Sequence, residues 1–267
     1  TFGLEGDFAE EGYVNAPNNS GMQDAGSRAE RQWMYNAVSQ AILAHNILRA
    51  DEKVDSSRIG ITGISWGGVI TSLAIGYDTR YAFAIPIYGS GYLEEALSFM
   101  GPNFNTEASK VVWSDQERFA NVDFPVLWLG WNSDNCFSIN SNSKSYLDTK
   151  NTDKTVLSMI NKMNHSHGSA WVQPISYYYA DWIVKGGSGL SQVKNQPSGR
   201  EVSIEIDKPA QASNVTAKIY YITEEMTYSQ KPGNSTTTMD QSWQTVNCTV
   251  SNNTITGSVP SQAHSYY

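Results

Sequence analysis

Between Arg28 and Arg49, apolar residues recur at Trp33, Ala37, Ala41, Ala44 and Leu48, with Met34, Val38 and Ile42 alongside. This i, i+3, i+4 spacing predicts a helix with one wide apolar face. The period then changes. Arg58 to Gly63 (RIGITG) is a β-branched run whose two faces are both apolar, which predicts a strand covered on both sides. A helical run follows at once, from Gly67 to Tyr77. Further strands are predicted at Ala82 to Gly89, Pro125 to Trp131 and Thr155 to Asn161, and a closing helix at Ile175 to Val184. Strand alternating with helix implies a doubly wound, mostly parallel sheet with helices on both faces, the α/β class.

Beyond Gly186 the pattern is different. Gly186 to Gly199 (GGSGLSQVKNQPSG) has the Gly, Ser and Pro content of a linker or exposed connection. After it come short alternating runs, Glu201 to Ile206, Ala217 to Thr223, Trp243 to Val250 and Asn253 to Val259, punctuated by Pro, Gly and Asn. These predict a small antiparallel β-sandwich-like module. The expected organisation is an α/β domain over residues 1–187 and a β module over 188–267. No internal repeat is present, and the closing AHSYY lacks an obvious final turn, so the module is expected to be incomplete at its C-terminus.

Composition narrows the function. Of 267 residues, 40% are hydrophobic and 16% charged, enough to bury a core and too little charge for a disordered chain. A net charge of −8 leaves no basic stripe for nucleic acid. No apolar run reaches the roughly 18 residues that span a bilayer, so no membrane partner is expected. Cys136 and Cys248 are far apart and show neither CxxC nor Cys/His spacing, so no zinc site or disulfide framework is indicated. Sequons at Asn214, Asn234 and Asn247 lean towards an extracellular or periplasmic location, although TFGLEGDFAEEG lacks the layout of a signal peptide.

The chemistry concentrates in Gly63-Ile64-Ser65-Trp66-Gly67-Gly68, between a predicted strand and a predicted helix. That is the context of a G-x-S-x-G nucleophile elbow, where a serine on a strained turn projects above the sheet edge. Small neighbours let the chain pass close by, and the following helix N-terminus favours developing negative charge. The N–H of Trp66 is the expected first oxyanion donor. A serine needs a base, and in such folds the order is Ser, then Asp or Glu, then His, each at the end of a strand. Asp134 is the only carboxylate in the loop after Trp131. The loop after Asn161 holds both His165 and His167; its glycine at Gly168 favours His167, with His165 as the alternative. His45, on the apolar helix face, and His264, in the terminal tail, are poorer candidates.

The runs DSSRIGITGISWGGVITSLAIGYDTRYAFAIPIYG, LWLGWNSDNCFSI and MNHSHGSAW resemble the α/β-hydrolase superfamily, and more narrowly its prolyl-oligopeptidase-like and acetylxylan-esterase-like hydrolases. The resemblance covers about Gly12 to Val184. It implies Ser65 as nucleophile, Asp134 as orienting acid and His167 as base, with no metal or organic cofactor. The acid loop is one residue longer than the relatives' usual G-T-N-D. The family's sheet begins with strands before the one that Gly12 to Pro17 resembles, so the chain is expected to be a piece of a longer protein. The expected activity is hydrolysis of carboxylic esters through an acyl-enzyme, with a small-molecule or polysaccharide ester as partner. Trp66 and Trp131 are candidate walls for stacking on sugar rings, which favours deacylation of carbohydrate, as in acetylxylan esterases. The alternatives are a peptidase of prolyl-oligopeptidase type, for which Glu94-Glu95 offers an amine anchor, and a non-catalytic binding protein on the same scaffold.

Overall fold

A computed structural model of the chain describes residues 24–96, 98, 100–149, 152–224 and 242–267; the strand expected at Gly12 to Pro17 and the Asn234 sequon lie outside them. Contacts divide the chain into two units, Thr1–Ser176 and Tyr177–Tyr267. The division falls inside the closing helix, ahead of the Gly-rich connection at which the sequence suggests a boundary.

In the first unit, α1 (Trp33–Ala50) precedes β1 (Gly60–Ile64), α2 (Trp66–Tyr77) and β2 (Phe83–Ile87). The short helices α3 (Met100–Asn103) and α4 (Glu107–Trp113) lead to β3 (Leu127–Trp131), α5 (Ile139–Asp148), β4 (Val156–Ile160) and α6 (His167–Trp171). The four strands form one parallel sheet in the order β1-β2-β3-β4. This is the expected α/β-hydrolase arrangement. Its core gathers Ile75 from α2, Ala84 from β2, Trp128 from β3, Tyr146 from α5, and Phe119 and Phe124 from the connection ahead of β3. Every residue of α2 from Gly68 to Gly76 is buried, which an all-round apolar helix requires. β1 departs from expectation: Thr62 is exposed and its neighbours only half-buried, because β1 is an edge strand among the described residues.

In the second unit, α7 (Pro174–Lys185), most of whose residues belong here, is followed by β5 (Gln192–Val193), β6 (Glu201–Asp207), β7 (Lys218–Ile222), β8 (Gln244–Asn247), β9 (Thr249–Ser251), β10 (Thr254–Ser258) and β11 (Ser265–Tyr266). They form two antiparallel sheets, β5-β6-β10-β9 and β11-β7-β8. The single strand expected from Trp243 to Val250 breaks at Cys248, and its halves join different sheets. Ile219, Tyr221, Val259 and Ala263 make the core between them, with Val202, Val246 and Cys248 packed against it. This is the small β module that the alternation predicted.

Candidate active site

Ser65 joins β1 to α2 with φ 58° and ψ −118°, a conformation that L-residues other than glycine rarely adopt. The turn is held by its backbone: Ser65 N–H donates to Ile87 O at 2.9 Å, and Val69 N–H donates to Ser65 O at 3.0 Å. Close approach explains two glycines. A Cβ on Gly63 would lie 2.0 Å from Gly67 O, and one on Gly68 would lie 2.6 Å from Ile87 O. Trp66 opens α2, so its N–H has no partner within the helix and is available to an oxyanion.

Asp134 follows β3 and is buried. Its Oδ1 accepts from the N–H groups of Cys136 at 2.7 Å and Phe137 at 3.0 Å, which fixes the carboxylate before any histidine reaches it. Its Oδ2 lies 2.8 Å from His165 Nδ1, and His165 Nε2 lies 2.9 Å from Ser65 Oγ. Ser65, His165 and Asp134 thus form a continuous relay, with the serine and histidine both part-accessible.

The histidine is therefore His165 and not the favoured His167. His167 is exposed and is the first residue of α6. Ser166 is the N-cap of that helix, its hydroxyl accepting from Ser169 N–H at 3.1 Å. The Ser-x-x-Ser spacing was the available signal: it starts a helix at His167 and leaves His165 in the loop. Left-handed backbone at Lys162 (φ 61°) and Asn164 (φ 67°) then turns His165 back over the sheet edge.

Two aromatic residues with no local motif to mark them hold the imidazole. Tyr88 stacks on it at 4.6 Å between centroids, and Phe137 at 6.0 Å. Tyr88 is fully buried, and its hydroxyl donates to Asn164 O at 2.6 Å, tying down the residue just before the base. Burial and the Asp134 charge push the Tyr88 phenol up, so it remains a donor. The same two causes push the Cys136 thiol up to about 12, which keeps it neutral beside the relay.

Other expected site residues fall differently. Trp131 ends β3 and is only 8% accessible, so it offers no open face for a sugar. It is buried because the last residue of an interior strand is flanked on both sides. Trp66 is half-buried and packs edge-on against Phe104 and Trp113, making an apolar wall beside Ser65. Glu94 accepts from Gln116 Nε2, and Glu95 pairs with Lys144, so both carboxylates already have partners.

Residues 8–181 match the family model described as the prolyl oligopeptidase family. The chain belongs to the prolyl oligopeptidase family. Its members are serine hydrolases on the α/β-hydrolase fold. No curated protein matches the sequence. Among solved structures, the acylaminoacyl peptidase of Pyrococcus horikoshii is 24% identical over 57% of this chain and 28% of its own, with a TM-score of 0.47. A puromycin-hydrolyzing peptidase of Mycobacterium tuberculosis is 18% identical over 58% of this chain and 27% of its own, TM-score 0.49. Acetyl xylan esterase 1 from Thermoanaerobacterium sp. is 12% identical over 64% of this chain and 60% of its own, TM-score 0.45. The chain spans less than a third of the length of the two peptidases.

Proposed function

We propose that this chain carries the catalytic centre of a serine hydrolase that cleaves carboxylic acid derivatives through an acyl-enzyme on Ser65. One observation carries the reading: His165 lies 2.9 Å from Ser65 Oγ through Nε2 and 2.8 Å from Asp134 through Nδ1. In the working tautomer Nδ1–H donates to Asp134, leaving the Nε2 lone pair to accept the serine proton as Oγ attacks an acyl carbonyl. Asp134 stabilises the imidazolium that forms. The Trp66 N–H faces the negative charge developing on the carbonyl oxygen. His165 then protonates the leaving group and activates the water that releases the acid.

Ester hydrolysis is the reaction proposed first, with an acylated carbohydrate as the substrate class and Trp66 as the remaining aromatic wall for it. Peptide hydrolysis is the second reading, favoured by the family match over residues 8–181. Fluorophosphonate labelling tests the centre: an adduct on Ser65 is expected, and a protein that resists labelling would be a binding protein instead. Rates on p-nitrophenyl acetate, acetylated xylan and a proline-containing dipeptide amide separate the substrate classes. Fast amide cleavage with negligible ester turnover would replace the first reading by the second.

A further inference from the structure

The loop after β3 holds a side chain that acyl transfer does not use. Cys136 lies two residues beyond Asp134, and its thiol donates weakly to Asn135 Oδ1 at 3.6 Å. Asp134, Cys136 and His165 each offer one metal-ligating atom, and the three atoms lie within 4.8 Å of one another. Atoms bound to one ion at about 2.0 to 2.3 Å lie at most about 4.0 to 4.6 Å apart, so side chains spread over the full 4.8 Å would have to draw together to share an ion. A carboxylate, an imidazole and a thiolate form a mixed donor set. Such a set suits Zn²⁺ and similar borderline cations, whereas Mg²⁺ and Ca²⁺ prefer oxygen ligands alone. The His165 side chain is 23% accessible, so the cluster is not sealed from solvent.

We propose that Asp134, Cys136 and His165 form a binding site for Zn²⁺ or a like cation, and that filling it switches the catalytic relay off. Both ring nitrogens of His165 are already engaged, Nδ1 with Asp134 and Nε2 with Ser65. Whichever nitrogen takes the ion gives up its place in the relay, so the ring loses either its orientation or its capacity to accept the serine proton. Coordination breaks the Cys136 S–H bond and releases its proton to solvent, so the sulfur binds as thiolate; where Nδ1 of His165 takes the ion, its proton moves to Nε2 or to solvent as well. The inhibitory consequence rests on the hydrolase reading. The binding itself does not, because Ser65 is not a ligand.

Co²⁺ added to the full chain is the test, since a thiolate ligand gives it a charge-transfer absorption in the near ultraviolet. The band is expected in the wild type and in Ser65→Ala, and is expected to vanish in Cys136→Ala and Cys136→Ser, both of which retain Cys248 as an internal control. Zn²⁺ is expected to inhibit ester turnover reversibly, with a chelator restoring it, while Mg²⁺ at the same concentration has no effect. The inhibitory Zn²⁺ concentration should rise at least about tenfold in Cys136→Ala. A wild type without the band, or a band that survives in both Cys136 variants, overturns the site. Equal Zn²⁺ sensitivity of wild type and Cys136→Ala overturns the switch. A protein that shows the band but turns over no substrate keeps the metal site and removes only the hydrolase reading.

Discussion

Two histidine–aspartate pairs in the α/β unit share nearly the same local geometry. In each, an imidazole Nδ1 lies 2.8 Å from an aspartate Oδ2, His165 on Asp134 and His45 on Asp78. Each ring also stacks on a tyrosine, Tyr88 at 4.6 Å and Tyr81 at 4.0 Å. The far nitrogen separates them. His165 Nε2 meets Ser65 Oγ, whereas His45 Nε2 is buried and has no hydrogen-bond partner among the described residues. Asp78 is also gripped by Arg80, through Nε and Nη2, both at 2.7 Å. Burial opposes ionisation of Asp78, but the hydrogen bonds from Arg80 and His45 outweigh it and hold the carboxyl near 2. A histidine–aspartate pair is thus a structural tie by default. The proposed base differs from that tie in having a hydroxyl at its second nitrogen and partial exposure to solvent.

The largest effect that could break this contrast is at Ser65. Ser65→Ala is expected to lower kcat by on the order of 10⁴-fold without loss of fold, as measured by ester turnover and circular dichroism. His165→Ala should cost about 10³-fold or more, while His167→Ala stays within about threefold. Reversed outcomes would return the base to His167. His45→Ala should instead lower unfolding free energy by about 2 to 4 kcal/mol, since it leaves a cavity and removes one of the buried Asp78 partners, with kcat of the folded protein retained. Denaturant unfolding beside turnover separates the two roles.

Smaller effects sharpen the comparison. Tyr88→Ala should lower kcat by about 10- to 100-fold with little change in KM, because the imidazole loses its stacking partner and its loop anchor. Tyr88→Phe keeps the ring and should cost only about two- to fivefold. Asp115 is a third buried carboxylate, without a histidine; its Oδ2 accepts from Ser72, and its Oδ1 has no partner among the described residues. Burial raises its carboxyl to about 7, with Ser72 partly offsetting this. Because the folded value lies above the unfolded one, its contribution to stability is complete below about pH 4 and fades as pH rises to about 7. Relative to Asp115→Asn, the wild type should lose at most about 1.4 kcal/mol per pH unit across that window, measured by denaturant titration at several pH values.

How much of this was legible depends on the range of the cause. Ser65 was readable because strand, turn and helix adjoin in sequence, and because Gly63 and Gly68 answer to close contacts around that turn. Asp134 was readable because it follows a strand directly. The choice between His165 and His167 was only partly readable: the Ser166–Ser169 cap marks where α6 begins, but the two left-handed residues that turn His165 towards the serine carry no such signal. Trp131 was misjudged for a related reason: an aromatic at a strand end is exposed or buried according to its neighbours in the sheet, and these come from distant segments. Tyr88 gave no signal because its partners, His165 and Asn164, lie on another strand's loop.

The amino-acid sequence by itself determined the alternation of strand and helix, the order of nucleophile, acid and base along the chain, and the change to a β module near its end. All three are set by local periodicity and by residues within a few positions of one another. Tertiary structure decided which imidazole meets the serine hydroxyl and which histidine–aspartate pair has no partner at its second nitrogen among the described residues. Those outcomes depend on loops from separate strands converging at one sheet edge, where a shift of two residues decides whether a side chain faces a hydroxyl or water.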